Sequence, residues 1–178
     1  MANCVLQVVK DYQTLLVGLL GFTGVITTML ANAKMQRNQH ERALLHEARS
    51  ARVAIKTELL ANKKSYELRI SQLNEPPDES SGALVPSKLS NQLYNELLPK
   101  LGILSEEELE KVIQAYALIS EAPYRLRILV GTDNVIGLNG ENIRVESGKL
   151  QAAKEIHERI LVVITKAIEL VESHLENA

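Results

Sequence analysis

The sequence predicts an all-α protein: one N-terminal transmembrane helix that continues into an amphipathic helix, followed by a cytoplasmic helical bundle. Three observations carry that expectation. Residues 12–33, YQTLLVGLLGFTGVITTMLANA, hold no charge and are closed by Asp11 on one side and Lys34 on the other. From Leu44 to Leu73 apolar residues recur at the helical period. Aromatic residues amount to only 3% with no Trp, while aliphatic residues abound and Gly and Pro are sparse, a balance that suits helices and disfavours a β-sandwich.

The 178 residues leave room for the span and one domain with its own core. The predicted organisation is a tail over 1–11, the span over 12–33, a basic stalk and amphipathic helix over 34–73, a linker over 74–87, and a helical domain over 88–178 that packs with 44–73. The net charge is −2, with a basic segment after the span and an acidic linker and C-terminal half, so no nucleic-acid signature exists. One cysteine, Cys4, excludes an internal disulfide framework and a cysteine-based metal cluster.

In chain order, the tail carries a short apolar run of Val5, Leu6, Val8 and Val9 that extends the helix or lies at the interface. The span follows. At about 1.5 Å per residue its 22 residues reach roughly 33 Å, against a hydrocarbon core of about 30 Å. Thr14, Gly18, Gly21 and Thr28 recur along one face, with Gly24 beside it, and such a stripe is a candidate surface for a homodimer through the span. Gly and Thr are also ordinary span residues, so composition alone explains them equally well.

Lys34, Arg37, Arg42, Arg49 and Arg52 follow the span against Lys10 alone before it. The positive-inside rule then places the C-terminal domain in the cytoplasm. Ala31-Asn32-Ala33 has the form of a signal-peptidase site, which keeps an exported helical protein open as an alternative. Against it stand an n-region whose Lys10 is cancelled by Asp11, an apolar region from Leu15 to Leu30 longer than usual, and a basic mature start. The stalk KMQRNQHER is polar on every side, and Lys34, Arg37 and Arg42 are candidate contacts to lipid headgroups or simple determinants of topology.

Leu44, Ala48, Ala51, Ile55, Leu59, Asn62, Tyr66, Ile70 and Leu73 then mark one face of a straight helix. A strict heptad from Leu45 would put Arg52, Asn62 and Arg69 in the seam, so this helix is expected to pack into its own domain rather than form a coiled coil. Residues 74–87, NEPPDESSGALVPS, carry three prolines and read as linker. Leu89, Leu93, Leu97 and Leu98 give the next helix an apolar face from near Ser87 to Gly102, with Pro99 loosening its last turn. Ser105-Glu106-Glu107-Glu108 is a capping box, and the helix it opens buries Leu109, Val112, Ile113, Tyr116 and Ile119, up to about Glu121.

The sequence DYQTLL at 11–16, the basic amphipathic helix, LYNELLPKLGIL at 93–104 and VIQAY at 112–116 together resemble a group of bacterial single-pass membrane proteins of unknown activity. The resemblance extends to about Ile119 and rests on apolar positions and turn residues. The resemblance implies the membrane-anchored architecture and a bacterial inner membrane, and no chemistry.

Beyond it, Pro123 is suited to open a short helix through Val130, followed by a loop from Gly131 to about Glu146. The alternative makes RLRILV and NIRV strands of a hairpin turning at Asn139-Gly140. An isolated hairpin is marginal, which favours the helix and loop. Gly131, Gly137 and Gly140 lack the Gly-Lys-Ser/Thr of a phosphate loop, and Asp133, Asn134, Asn139, Glu141 and Asn142 lack the ligand alternation of a calcium loop. Ser147 is the expected cap of a final helix from Gly148 to about Leu175, whose centre, Ile160 to Ile164, has no polar residue and is expected to be buried on most sides.

No local constellation specifies a reaction, a cofactor or a metal. His40, His46, His157 and His174 show no zinc-protease pairing and read as surface residues. No Gly-x-Ser-x-Gly elbow is present, and Glu106 and Glu107 suit the positive end of a helix dipole. The expected function is that of a non-enzymatic, membrane-anchored interaction or regulatory protein, with the lipid bilayer and an unidentified protein as partners and no nucleic acid. The rival is a membrane-tethered enzyme or effector with a site in the 131–146 loop.

Overall fold

The computed structural model describes residues 10, 12–74, 82–87, 91–131, 134–136 and 142–176, except for the side chains of Thr14 and Leu16. The protein is mostly helical. It divides into two compact units, Met1–Leu45 and His46–Ala178.

Helix α1, Gln13–Asn74, begins in the first unit and ends in the second. No proline interrupts it. Within the first unit its described apolar side chains are exposed, Leu20 at 72% and Leu30 at 67% among them. Within the second unit one face is buried as the sequence predicts: Ala48, Ala51, Ile55, Leu59, Asn62, Tyr66 and Leu73. Leu44, expected to begin that face, is exposed, and Ile70 is only half-buried beside a buried Arg69.

The predicted linker contains a strand. β1, Ala83–Pro86, pairs antiparallel with β3, Asn142–Val145, and β3 pairs antiparallel with β2, Val135–Ile136, giving the order β1-β3-β2. The 131–146 segment is therefore partly a hairpin rather than a loop, and the mostly helical fold, consistent with the all-α expectation, carries one small sheet. The turn signal Asn139-Gly140 itself lies outside the described residues.

The reason is burial from a distant part of the chain. Ala83 opposes Val145 and Val85 opposes Ile143, so four buried side chains share one face of the sheet. They pack with Leu73 of α1 and with Leu126, Val130 and Ala153 of the helices described below. A third strand and a helical floor supply what a lone hairpin lacks. At Gly82 the backbone has φ +80, and an added Cβ would collide with the Val145 carbonyl, so only glycine fits beside β3.

The helix expected from Ser87 to Gly102 is shorter. α2 spans Gln92–Leu97 and passes into a 3₁₀ turn, Leu98–Ile103, with Pro99 near its start. Leu93 and Leu98 are exposed, whereas Tyr94, Leu97 and Leu101 turn to the core; Leu89 lies outside the described residues.

α3 runs unbroken over Glu106–Val130 behind the predicted capping box: the Ser105 hydroxyl accepts from the Glu108 N–H, and the Glu108 carboxylate accepts from the Ser105 N–H. Pro123 sits inside α3 instead of starting a new helix. An internal proline costs about 3 kcal/mol. Burial of Ala122, Leu126 and Val130 on either side of it favours continuation. Ile113 is exposed at 44%, and Ala115 takes the inward position instead.

α4, Leu150–Glu176, is entered through a 3₁₀ turn at Ser147–Lys149. It is one-sided rather than buried all round, because Ile160 and Ile164 are buried while Val162 is 54% exposed. Its inner face shares a core with Ile55, Leu59 and Tyr66 of α1 and with Val112, Tyr116 and Ile119 of α3.

Candidate functional site

In the first unit, the candidate contact residues Gly18, Gly21 and Thr28 lie on the exposed part of α1; the side chain of Thr14 is outside the described set. A Cβ added at Gly18, Gly21 or Gly24 would meet nothing within 4 Å, so these backbones are open to a neighbour. The hydroxyls are less available. Thr28 donates to the Gly24 carbonyl at 2.8 Å, Thr27 to the Thr23 carbonyl at 2.7 Å, and Thr23 to the Leu19 carbonyl. Each proton is spent on the residue's own helix, and only oxygen lone pairs remain for a partner. Lys34, Arg37 and Arg42 are exposed on the same helix.

Among the described residues, one helix is long and apolar enough to cross a membrane by length and composition, and it is the N-terminal one.

The second unit spends its buried carboxylates on structure. Glu58, 4% exposed, accepts from the backbone N–H groups of Leu93 at 3.2 Å and Tyr94 at 2.9 Å, and from the Tyr116 hydroxyl at 2.8 Å. It ties the start of α2 to α1 and α3. Burial, with the bond to Glu58 next, pushes the Tyr116 hydroxyl pKa up, and burial does the same to Tyr94, whose ring stacks on Tyr116 at 3.9 Å.

Glu108, fully buried, takes a two-pronged bond from Arg52 at 2.7 and 2.9 Å. Burial would raise its pKa, but the bonds from Arg52 and Ser105 outweigh that and hold the carboxyl below its usual value. The bond to Glu108 raises Arg52 in turn. Arg52, counted from the sequence as a topology charge, is thus committed to the folded core.

A second buried polar group joins α1 to α4. His157, expected at the surface, is 0% exposed, and its ring lies 5.5 Å from that of Tyr66, over which the Arg69 guanidinium sits at 5.5 Å. The Ala153 carbonyl lies 2.7 Å from His157 Nδ1 and can only accept, so Nδ1 carries the proton and Nε2 is left as a bare acceptor with no partner. Burial lowers the His157 pKa to about 4 and raises that of Tyr66 to about 12. His40 and His46 are exposed as expected, and His174 is half-buried.

These polar positions were visible in the sequence only as irregularities. Asn62 and Arg69 counted against a heptad seam, and both are buried, at 1% and 4%. Glu58 sits between Ile55 and Leu59 on the apolar face, a carboxylate that cannot avoid burial.

Among the described residues of 131–146, the rival site gains no constellation. Asn134 donates to the Val130 carbonyl at 2.7 Å and so closes the end of α3, where Lys149 also reaches the same carbonyl at 3.4 Å. Asp133, Gly137, Asn139, Gly140 and Glu141 lie outside the described residues. Among the described residues, no group of three or more His, Cys, Asp or Glu is arranged to hold a metal.

Hollows on the surface of the second unit include two lined by described residues. The larger, about 330 Å³, presents Ser87, Asn91, Ser120 and Arg127 as its polar groups. Ile119, Pro123 and Tyr124 form its apolar wall. The smaller, about 210 Å³, lies between α3 and α4 around Leu118, Arg125 and Arg159.

No family model, curated protein or solved structure matches this chain.

Proposed function

We propose that this chain is a single-pass inner-membrane protein, held by residues 12–33, whose helical C-terminal unit stands in the cytoplasm as a non-enzymatic interaction or regulatory module. One observation carries the reading. The uncharged stretch of α1 exposes Leu15, Val17, Leu19, Leu20, Phe22, Val25, Met29 and Leu30, each above half of its full area. A continuous apolar surface of that extent is not tolerated in water, and lipid is the covering that matches its length and its lack of charge.

Orientation follows from Lys34, Arg37, Arg42 and Arg49 after the span against Lys10 before it; the count stands even with Arg52 removed to the core. The regulatory reading is supported by the second unit, where Glu58 and Glu108 serve backbone, tyrosine and arginine donors inside the fold.

A reporter fused after Ala178 is expected to be active in the cytoplasm, and a tag at Met1 to be reachable from outside. A soluble periplasmic chain beginning at Lys34 would overturn the anchor in favour of export. Crosslinking in native membranes, followed by capture of the chain, is expected to recover a stoichiometric protein partner. Turnover of a substrate lost on substituting Asp133, Asn134 and Glu141, with folding intact, would instead establish an enzyme.

A further inference from the structure

We infer that the 330 Å³ hollow beside α3 is a binding site for a small organic carboxylate with an apolar or aromatic body. The hollow lies within the second unit and would exist whether or not the span inserts. Its volume is at the lower end of small-molecule sites, which extend from about 300 to 1,000 Å³.

Charge selects the ligand. Arg127 is the one formal charge among the described lining residues, and none of these described residues is a carboxylate. The helix offers it none either: three and four residues away stand Tyr124, Pro123, Val130 and Gly131. Glu121, the acid one turn further back, is held by Arg125 at 2.7 Å. The Arg127 Nε is buried and has no acceptor. A guanidinium whose Nε lacks an acceptor, beside a hollow with no acid among its described lining residues, fits an anion, and its planar fork fits the two oxygens of a carboxylate.

The remaining groups refine the class. One cation neutralises a monoanion, whereas a phosphate dianion would keep a charge uncompensated against the neutral hydroxyls of Ser87 and Ser120 and the Asn91 amide. Between Ser120 and Arg127 on the same face of α3, Pro123 and the 67% exposed ring of Tyr124 give an apolar body a surface to cover.

The test uses the full chain in lipid nanodiscs, with empty nanodiscs as the blank, titrated calorimetrically with three probes: 3-phenylpropionate, its neutral amide, and inorganic phosphate. Saturable binding of the acid is expected, with the amide and phosphate weaker by about tenfold or more. Arg127→Gln is expected to weaken the acid by about tenfold or more, and Arg127→Lys, which keeps the charge but loses the fork, to fall between it and the parent. Circular dichroism verifies that each variant keeps its helical content, and Ser120→Ala, two turns before Arg127 on α3, serves should Arg127→Gln not fold, with a several-fold loss expected. The inference is overturned by the absence of saturable binding, by equal affinity for the amide, by tighter binding of phosphate, or by unchanged affinity in Arg127→Lys and Ser120→Ala.

Discussion

The two stretches of α1 on either side of Leu45 obey different rules although one helix runs through both. After it, exposure alternates with the turn: Ile55 and Leu59 are 0% exposed while Val53 and Leu60 are 48% and 41% exposed. Before it, from Leu15 to Leu30, every described apolar side chain is exposed whatever its position on the turn, Ile26 at 40% being the least. Periodic burial means a protein core on one side and water on the other. Uniform exposure of uncharged residues is the pattern that the proposed lipid surrounding would produce, in contrast to a helix covered on one face by its own domain.

The largest effect that would break this contrast is charge placed in the uniform stretch. Replacing Leu20 and Ile26 by Arg together is expected to cost about 5 to 7 kcal/mol of insertion free energy and to release the chain from carbonate-washed membranes. Val53 and Leu60 are comparably exposed on the domain side, and the same double change there is expected to leave the chain membrane-bound. Retention of the Leu20 and Ile26 double variant in the membrane would remove lipid as the explanation for exposure.

Next in size is a comparison between two arginines of the same helix. Arg42 is exposed, whereas Arg52 is paired with the buried Glu108. Arg52→Ala leaves that carboxylate without its cation and is expected to destabilise the second unit by about 3 to 5 kcal/mol in urea unfolding of the full chain. Arg42→Ala is expected to lie within about 0.5 kcal/mol of the parent. Equal effects would mean that the core pair contributes no more than a surface charge.

The same contrast explains how much was legible in the sequence. The apolar helix near the N-terminus, the buried stripe of α1 and the capping box at Ser105 were readable because each depends on neighbours within a few residues. The strand at Ala83–Pro86 was not, since its partner Asn142–Val145 is about 60 residues away and nothing local announces the pairing. Pro123 signalled a helix start, and the burial of Ala122 and Leu126 overrode it. The hollow at Arg127 is assembled from three separate segments, around Ser87, Asn91 and α3, and had no sequence signature. His157 read as a surface residue although it follows Ala153 and precedes Ile160 and Ile164 on the buried face of α4; the spacing was the available signal.

His157 supplies the third prediction. Its pKa in the folded chain is about 4, below the ordinary 6.5, so between those values the unfolded chain binds more protons. Stability from this group is therefore complete above pH 6.5 and is lost as pH falls through 4. The maximum loss is about 3 kcal/mol. His157→Phe removes the titration and is expected to flatten urea-unfolding stability across that window, leaving the loss at lower pH that protonation of Glu108 brings, since its pKa is also held down. An unchanged slope would show that the imidazole is protonated inside the fold at no cost.

The smallest effect belongs to Thr28. Its hydroxyl donates to the Gly24 carbonyl within the same helix, so its polarity is already compensated in an apolar surrounding. Interhelical hydrogen bonds in membranes are worth about 0.6 kcal/mol on average, and one whose proton is already committed has less to offer. Gly18 and Gly21 act differently, because open space beside their backbones admits a second helix without any hydroxyl. If the span self-associates in a membrane dimerisation reporter, Gly21→Ile is expected to abolish the signal by filling that space, and Thr28→Val to change it by less than about 1 kcal/mol. A loss on Thr28→Val as large as that on Gly21→Ile would mean that the hydroxyl turns away from Gly24 to bond a neighbouring helix. Contact would then rest on that bond rather than on the close approach of two glycine-lined backbones.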